Sequence, residues 1–92
     1  MQTIKLLATL RDLAGARELQ VSLEPGQSVR HLVQAVAAAA PRIGEKMLDE
    51  QGELTGVVHI FINGRNIQWL QGLDTIIEEG DEITLIPPAA GG

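Results

Sequence analysis

The sequence contains no cysteine. Disulfides, thiolate catalysis and cysteine-ligated metal are excluded, and nothing points to an oxidising compartment. Large rings are scarce: there is no tyrosine, and Phe61 and Trp69 stand alone. Any core must then be aliphatic. Positive charge is in deficit, with seven Lys and Arg against twelve Asp and Glu, a formal net charge of −5. That balance does not supply the basic face on which sequence-independent nucleic-acid binding depends. It suits simple solubility or a partner with a basic groove. His31 and His59 are the only histidines and lie far apart in the chain, with no carboxylate spacing to complete a metal site. No apolar run approaches the ~20 residues that span a bilayer, and no secretion signal is visible. The expectation is a cytoplasmic chain with no membrane and no nucleic-acid partner.

What is present suffices for one domain, residues 1–92, with a single modest core, since 45% of the 92 residues are apolar. Gln2–Leu10 alternates as a strand, with Ile4, Leu6, Ala8 and Leu10 on one face and Thr3, Lys5, Leu7 and Thr9 on the other. Arg11–Ala16 reads as a turn around Gly15. Arg17–Leu23 reads as a second strand with Leu19, Val21 and Leu23 inward, so the two form a loosely connected hairpin. Glu24-Pro25-Gly26-Gln27 closes it. Ser28 is the expected N-cap of a helix whose Val29, Leu32, Val33, Val36, Ala37 and Ala40 share one stripe, with Pro41 as its stop. The alanines at 37–40 favour helix and permit close packing on a sheet. In the segment Arg42–Gly56, Ile43, Met47 and Leu48 suggest a helical turn and Asp49–Glu53 a polar loop.

Val57–Ile62 carries the clearest strand pattern, Val58, Ile60 and Ile62 alternating with Val57, His59 and Phe61. Asn63-Gly64 is a two-residue hairpin signal leading into a short edge strand, Arg65–Ile67. Gln68–Ile77 connects, with Leu73 and Ile76 as core anchors, and Gly80-Asp81 turns the chain into a last strand, Glu82–Ile86. The order β-β-α-β-β-β describes an α+β fold of the β-grasp kind. It predicts a mixed sheet of about five strands, one main helix on one face, and the last strand beside the first and parallel to it.

Beyond Ile86 the chain runs Pro87-Pro88-Ala89-Ala90-Gly91-Gly92, a tail over 87–92. Terminal glycines bury nothing and are the costliest residues to order. Their advantage is slenderness, because a chain end without side chains enters a narrow cleft in another protein. Pro87 and Pro88 stiffen the root, which reduces the entropy lost on insertion. The sequence thus points to its own C-terminus, Gly91 and Gly92, as the reactive site; a plain disordered terminus is the alternative.

The same residues carry a resemblance. The element order with Leu6-Leu7-Ala8-Thr9-Leu10-Arg11-Asp12-Leu13, the Asn63-Gly64 turn, and Gly80-Asp81-Glu82 followed by an apolar strand, Pro87-Pro88 and Gly91-Gly92 resemble the ubiquitin-like sulfur carriers. The nearest likeness is to the small subunit of molybdopterin synthase (MoaD), with the thiamine sulfur carrier (ThiS) and protein modifiers as relatives. The resemblance covers essentially the whole chain, and the diproline speaks for the molybdopterin branch. The chain departs from the family in its long Arg42–Gly56 segment and in an outer sheet face that is aliphatic where an aromatic is common.

The resemblance implies that an E1-like adenylyltransferase uses ATP to activate the Gly92 carboxylate. A sulfurtransferase or cysteine desulfurase then supplies sulfur, and the resulting thiocarboxylate donates it to a pyranopterin held by the molybdopterin synthase large subunit. No cofactor is held permanently, and catalytic side chains belong to the partners, so this chain is a sulfur-donating subunit rather than an enzyme by itself. A modifier conjugated through Gly92, a carrier for thiamine or tRNA thiolation, and a non-reactive β-grasp interaction module are the alternatives.

The sheet face away from the helix is expected to carry Leu7, His59, Phe61, Thr84 and Ile86. Leu7, Phe61 and Ile86 form a candidate partner patch that leads into Pro87, Pro88, Ala89 and Ala90. The alternative is that 42–56 folds over that patch. Glu78, Glu79, Asp81 and Glu82 read as an acidic cluster at the root of the tail, either steering a basic groove or simply solvated. Arg11 and Arg65 are candidate contacts for partner carboxylates, and Trp69 reads as a hydrophobic plug under the edge connection.

Overall fold

The structure is a computed structural model that describes residues 1–87; the tail residues Pro88, Ala89, Ala90, Gly91 and Gly92 lie outside the described residues. Five strands form one sheet: β1 (Gln2–Leu6), β2 (Glu18–Val21), β3 (His59–Ile62), β4 (Arg65–Asn66) and β5 (Ile83–Ile86), in the order β2-β1-β5-β3-β4. β1 and β5 are parallel, with Ile4 opposite Ile83 and Leu6 opposite Leu85, and the other neighbours are antiparallel. The anticipated β-grasp is therefore the observed one. Ile4, Leu6, Ile60, Ile62, Ile83 and Leu85 point into an aliphatic core, and the alternate positions of β1, β3 and β5 do not.

Three helices cover the inner face, α1 (Thr9–Ala14), α2 (Val29–Ala39) and α3 (Pro41–Met47), of which α2 is the longest and is the expected main helix. The expected long first strand stops at Leu6. The Leu7 N–H still donates to Leu85 O at 3.2 Å, and then Leu10 N–H donates to Leu7 O at 3.1 Å across a tight turn. In that turn Ala8 adopts φ 50°, ψ −129°, and α1 follows. Leu10 is buried either way, because Leu7, Leu10, Leu13 and Ala14 also have helical spacing. Gly15, taken for a turn residue, is the left-handed C-cap of α1 at φ 70°, and its N–H donates to Arg11 O. The Arg11 guanidinium Nε donates to Leu6 O at 2.8 Å, tying the helix to the end of β1.

α2 follows the sequence reading closely. Ser28 caps it, and His31 occupies the position of the usual capping-box Glu, its Nδ1 accepting from the Ser28 N–H at 3.4 Å. Pro41 ends α2 and opens α3 at its first position, where the missing N–H costs nothing. The small residues have a use other than the expected packing on the sheet: a Cβ on Gly44 would lie 2.6 Å from Ala37 Cβ and 2.7 Å from Ala37 Cα, so the pair lets α3 lie close against α2. Ile43 and Met47 then join the main core. The segment after α3 closes as a small loop, with Leu48 bridged to Leu54 and the Asp49 carboxylate accepting from the Gln51 and Glu53 N–H groups at 2.8 and 3.0 Å.

Two core expectations in the connection to β5 fail. Ile76 is 47% exposed and Ile77 only 1%. The backbone decides this: Ile77 N–H donates to Gln27 O at 2.9 Å and Gly26 N–H to Ile77 O at 2.8 Å, an alignment with the turn before α2 that turns residue 77 inward. Leu73 is partly buried, as expected. Trp69 is not a plug. It is 79% exposed at the end of a 3-10 turn over Ile67–Trp69, whose first residue, Ile67, fills the core instead.

Two substitutions test these close approaches. Gly44→Ala should overpack the α2–α3 contact and lower stability by roughly 1–3 kcal/mol in denaturant melts. Ala8→Gly should raise stability by about 0.5–1 kcal/mol, because the left-handed strain of a Cβ exceeds the entropic cost of glycine.

Candidate functional site

The site is assembled around the end of β5. Ile83 and Leu85 are buried, and Thr84 and Ile86 are half-buried on the opposite side of the sheet. The strand lies between β1 and β3, so its direction is fixed on both sides. Pro87 follows directly. It lines a groove of about 200 Å³ with Thr9, Leu10, Leu13, Lys46, Val57 and Val58. Residues of α1, of the last turn of α3 and of the approach to β3 thus surround the point where the described chain ends. Sequence reading missed this groove; its signal was the helical spacing of Leu7, Leu10 and Leu13.

Leu7, Phe61 and Ile86 lie on the outer face. His59 pairs with Ile86 and Phe61 with Thr84 across β3 and β5, and Lys5 pairs with Thr84 across β1 and β5. Leu7, Phe61 and Ile86 are half-buried, so each retains apolar surface. Toward the other end, the face turns polar through Thr3, Lys5, Glu18 and Gln20, where Gln20 Nε2 donates to Thr3 Oγ1 at 2.7 Å. The apolar half therefore adjoins the tail. The alternative in which 42–56 folds over it is not observed, because α3 packs on α2 and α1 with the inner core.

Glu78, Glu79, Asp81 and Glu82 are not at the root of the tail. They precede β5, whereas the tail leaves from its far end. Residues adjacent in sequence to a strand's start are a strand's length away from its finish. Asp81 is moreover committed to the fold. Its Oδ1 accepts from Asn63 Nδ2 at 2.9 Å, and its Oδ2 accepts from the Glu78 N–H at 2.8 Å. Asn63 Oδ1 accepts from the Glu82 N–H at 2.9 Å, and Gln2 Nε2 donates to Asp81 O at 3.2 Å. The Asn63-Gly64 turn and the Gly80-Asp81-Glu82 turn thus form one fastening at the end of the sheet remote from the tail.

Of the candidate arginines, Arg11 is bonded to Leu6 O and Arg65 is exposed on β4. The ion pair found among the described residues is Arg30–Asp74 at 3.4 Å, between exposed side chains and of small energetic value. No group of three metal-ligating side chains occurs among the described residues, and His31 and His59 sit on separate elements. Beside Pro87, the polar side chains lining the groove are Thr9 and Lys46. The expected reactive residues Gly91 and Gly92, and the expected partner contacts Pro88, Ala89 and Ala90, lie outside the described residues.

Comparison with known proteins agrees with this arrangement. A family model described as the ThiS family matches residues 4–92. A putative sulfur carrier protein of Archaeoglobus fulgidus is 37% identical over 65 residues, covering 71% of this chain and 74% of that protein. The sulfur carrier protein CysO of Mycobacterium tuberculosis is 29% identical over 98% of this chain and 97% of its own length. The solution structure of the small archaeal modifier protein 1 from Methanosarcina acetivorans superposes with a TM-score of 0.80 at 36% identity, covering 98% of this chain and 94% of that one. The chain belongs to the ThiS family, whose sulfur carriers and ubiquitin-like modifiers share this β-grasp fold.

Proposed function

We propose that this chain carries sulfur as a thiocarboxylate on Gly92, and that its folded body serves to present the tail to partner enzymes. The observation that carries the reading is the placement of β5. The central strand of the sheet ends at Ile86, beside an apolar patch, and a family match that runs through Gly92 continues beyond it. Carboxylates are poor electrophiles. In the proposed cycle the Gly92 carboxylate attacks the α-phosphate of ATP on an E1-like adenylyltransferase, releasing pyrophosphate. A persulfide from a sulfurtransferase or cysteine desulfurase then displaces AMP and forms an acyl disulfide. A second thiol, from the partner or a small-molecule thiol reductant, attacks the partner-side sulfur. The S–S bond breaks, a disulfide forms between the two thiols, and the thiocarboxylate is left on Gly92. Its sulfur is the nucleophile in the final transfer. The chain's own contribution is access and docking: glycines that fit a narrow tunnel, the stiff Pro87-Pro88 root, and the Leu7–Phe61–Ile86 patch as a partner contact.

For the acceptor, we propose the pyranopterin precursor of molybdopterin, with this chain as the small subunit beside a large catalytic subunit. Pro87-Pro88 ahead of two slim residues and Gly-Gly supports that narrower assignment. A second reading, conjugation of Gly92 to lysines of target proteins, is favoured by the likeness to an archaeal protein named as a modifier. Both readings use the same adenylate and diverge in the nucleophile that displaces AMP, a persulfide for sulfur carriage and a lysine amine for conjugation.

Intact-mass analysis after incubation with an E1-like enzyme, ATP and a sulfur source tests the proposal. An oxygen-to-sulfur exchange on this chain supports sulfur carriage, lysine-linked adducts on other proteins support conjugation, and an unchanged mass refutes both. Transfer of the sulfur to a pyranopterin in the presence of a molybdopterin synthase large subunit tests the narrower assignment. Deletion of Gly92, or Gly92→Ala, should abolish adenylate formation while leaving the melting temperature unchanged; full ATP-dependent turnover by either variant would count against the proposal. Ile86→Asp or Leu7→Asp should weaken partner binding by about tenfold or more. The stability loss should stay near ~1 kcal/mol, about 4–8 °C in Tm; wholesale unfolding of both would show the patch to be part of the core instead.

A further inference from the structure

We infer that Asn63 is a deamidation site held in check by the turn that starts β5, and that its conversion unfastens that turn. Asn63-Gly64 is the exposed tip between β3 and β4, and the space a Gly64 side chain would fill is open. A glycine after an asparagine leaves its own amide nitrogen unhindered. In the reaction, Gly64 N loses its proton to solvent and bonds to Asn63 Cγ, the Cγ–Nδ2 bond breaks, and ammonia leaves. A five-membered imide remains. Water opens it at Cγ to give an aspartate with the main chain intact. Opening at the main-chain carbonyl instead routes the main chain through Cγ and adds one methylene. The sum is asparagine plus water giving a carboxylic acid plus ammonia, with no other reactant.

The carboxamide that must move is already engaged. Its Nδ2 donates to Asp81 Oδ1 at 2.9 Å, and its Oδ1 accepts from the Glu82 N–H at 2.9 Å. The main chain is pinned as well, by Asn63 N–H donating to Glu82 O at 2.8 Å, with φ of 53° at Asn63 and 82° at Gly64. Turning Cγ toward Gly64 N breaks both side-chain bonds, one of them to an ionised group and so among the stronger kind. The fold therefore slows the reaction.

The product reverses the sign of the contact. An oxygen replaces the Nδ2 donor opposite Asp81 Oδ1, and two carboxylates then face each other across a hydrogen-bond distance. In the isomerised product the extra methylene also breaks the register of a two-residue hairpin. Either way the tip of β3–β4 lets go of the turn at Glu78–Glu82, from which β5 begins.

Incubation of the full chain at mildly alkaline pH, followed by mass-spectrometric peptide mapping, measures the rate at Asn63 beside that of a free peptide of residues 58–68. The native chain should react roughly tenfold more slowly than the peptide, and Asp81→Ala, shown to be folded by circular dichroism, should recover most of the difference. Asp81→Leu, similar in size and without an acceptor for Asn63 Nδ2, replaces it if the alanine variant does not fold. Equal rates in chain and peptide, or an unchanged rate in the folded Asp81 variant, overturn the protection. Asn63→Asp should melt below the wild type, and a melting temperature equal to that of the wild type overturns the unfastening.

Discussion

The parallel pairing of β1 with β5 is the constraint from which the rest follows. Ile4, Leu6, Ile83 and Leu85 are buried and face the same core from the two middle strands. A parallel pair cannot be joined by a tight turn, so between Leu6 and Ile83 the chain must at some point leave the sheet, cross its inner face and return. α1, α2 and α3 use that crossing to cover the core. The outer face remains open, and the last strand ends in the middle of the molecule rather than at an edge. Pro87, the last described residue, thus follows directly from a strand held on both sides.

The described surface shows little recognisable chemistry. No metal-ligating group of three occurs there, and the groove beside Pro87 offers only Thr9 and Lys46 as polar lining. The apolar half of the outer face and the end of β5 are its distinguishing features. Both lie at one end of the domain, while the acidic turn and its fastening lie at the other.

What the sequence made legible was whatever is local. The alternation of Val58, Ile60 and Ile62, the Asn63-Gly64 turn and the stripe from Val29 to Val36 each depend on neighbours a few positions away, and each occurs in the structure as read. The first strand was overextended because Leu6, Ala8 and Leu10 alternate while Leu7, Leu10 and Leu13 follow a helical period; a turn at Ala8 with positive φ chose between them. Ile76 and Ile77 exchanged roles through backbone bonds to residues some fifty positions earlier, which no local period encodes. Trp69 was assigned by hydrophobicity alone, although Ile67 two residues before already filled the space. For the candidate site, the patch of Leu7, Phe61 and Ile86 was readable from strand parity, and the groove around Pro87 was not, because its walls come from three separate parts of the chain.

The fastening between Asn63 and Asp81 has a mechanical consequence. It secures β5 at the end opposite Ile86. Traction applied at Pro87 would therefore run along the strand axis, with β1 on one flank and β3 on the other. Hydrogen bonds lie across that direction on both sides, so the load is shared in shear instead of opening one rung after another as in a peeled edge. A load applied at Pro87 would meet a strand anchored along its whole length.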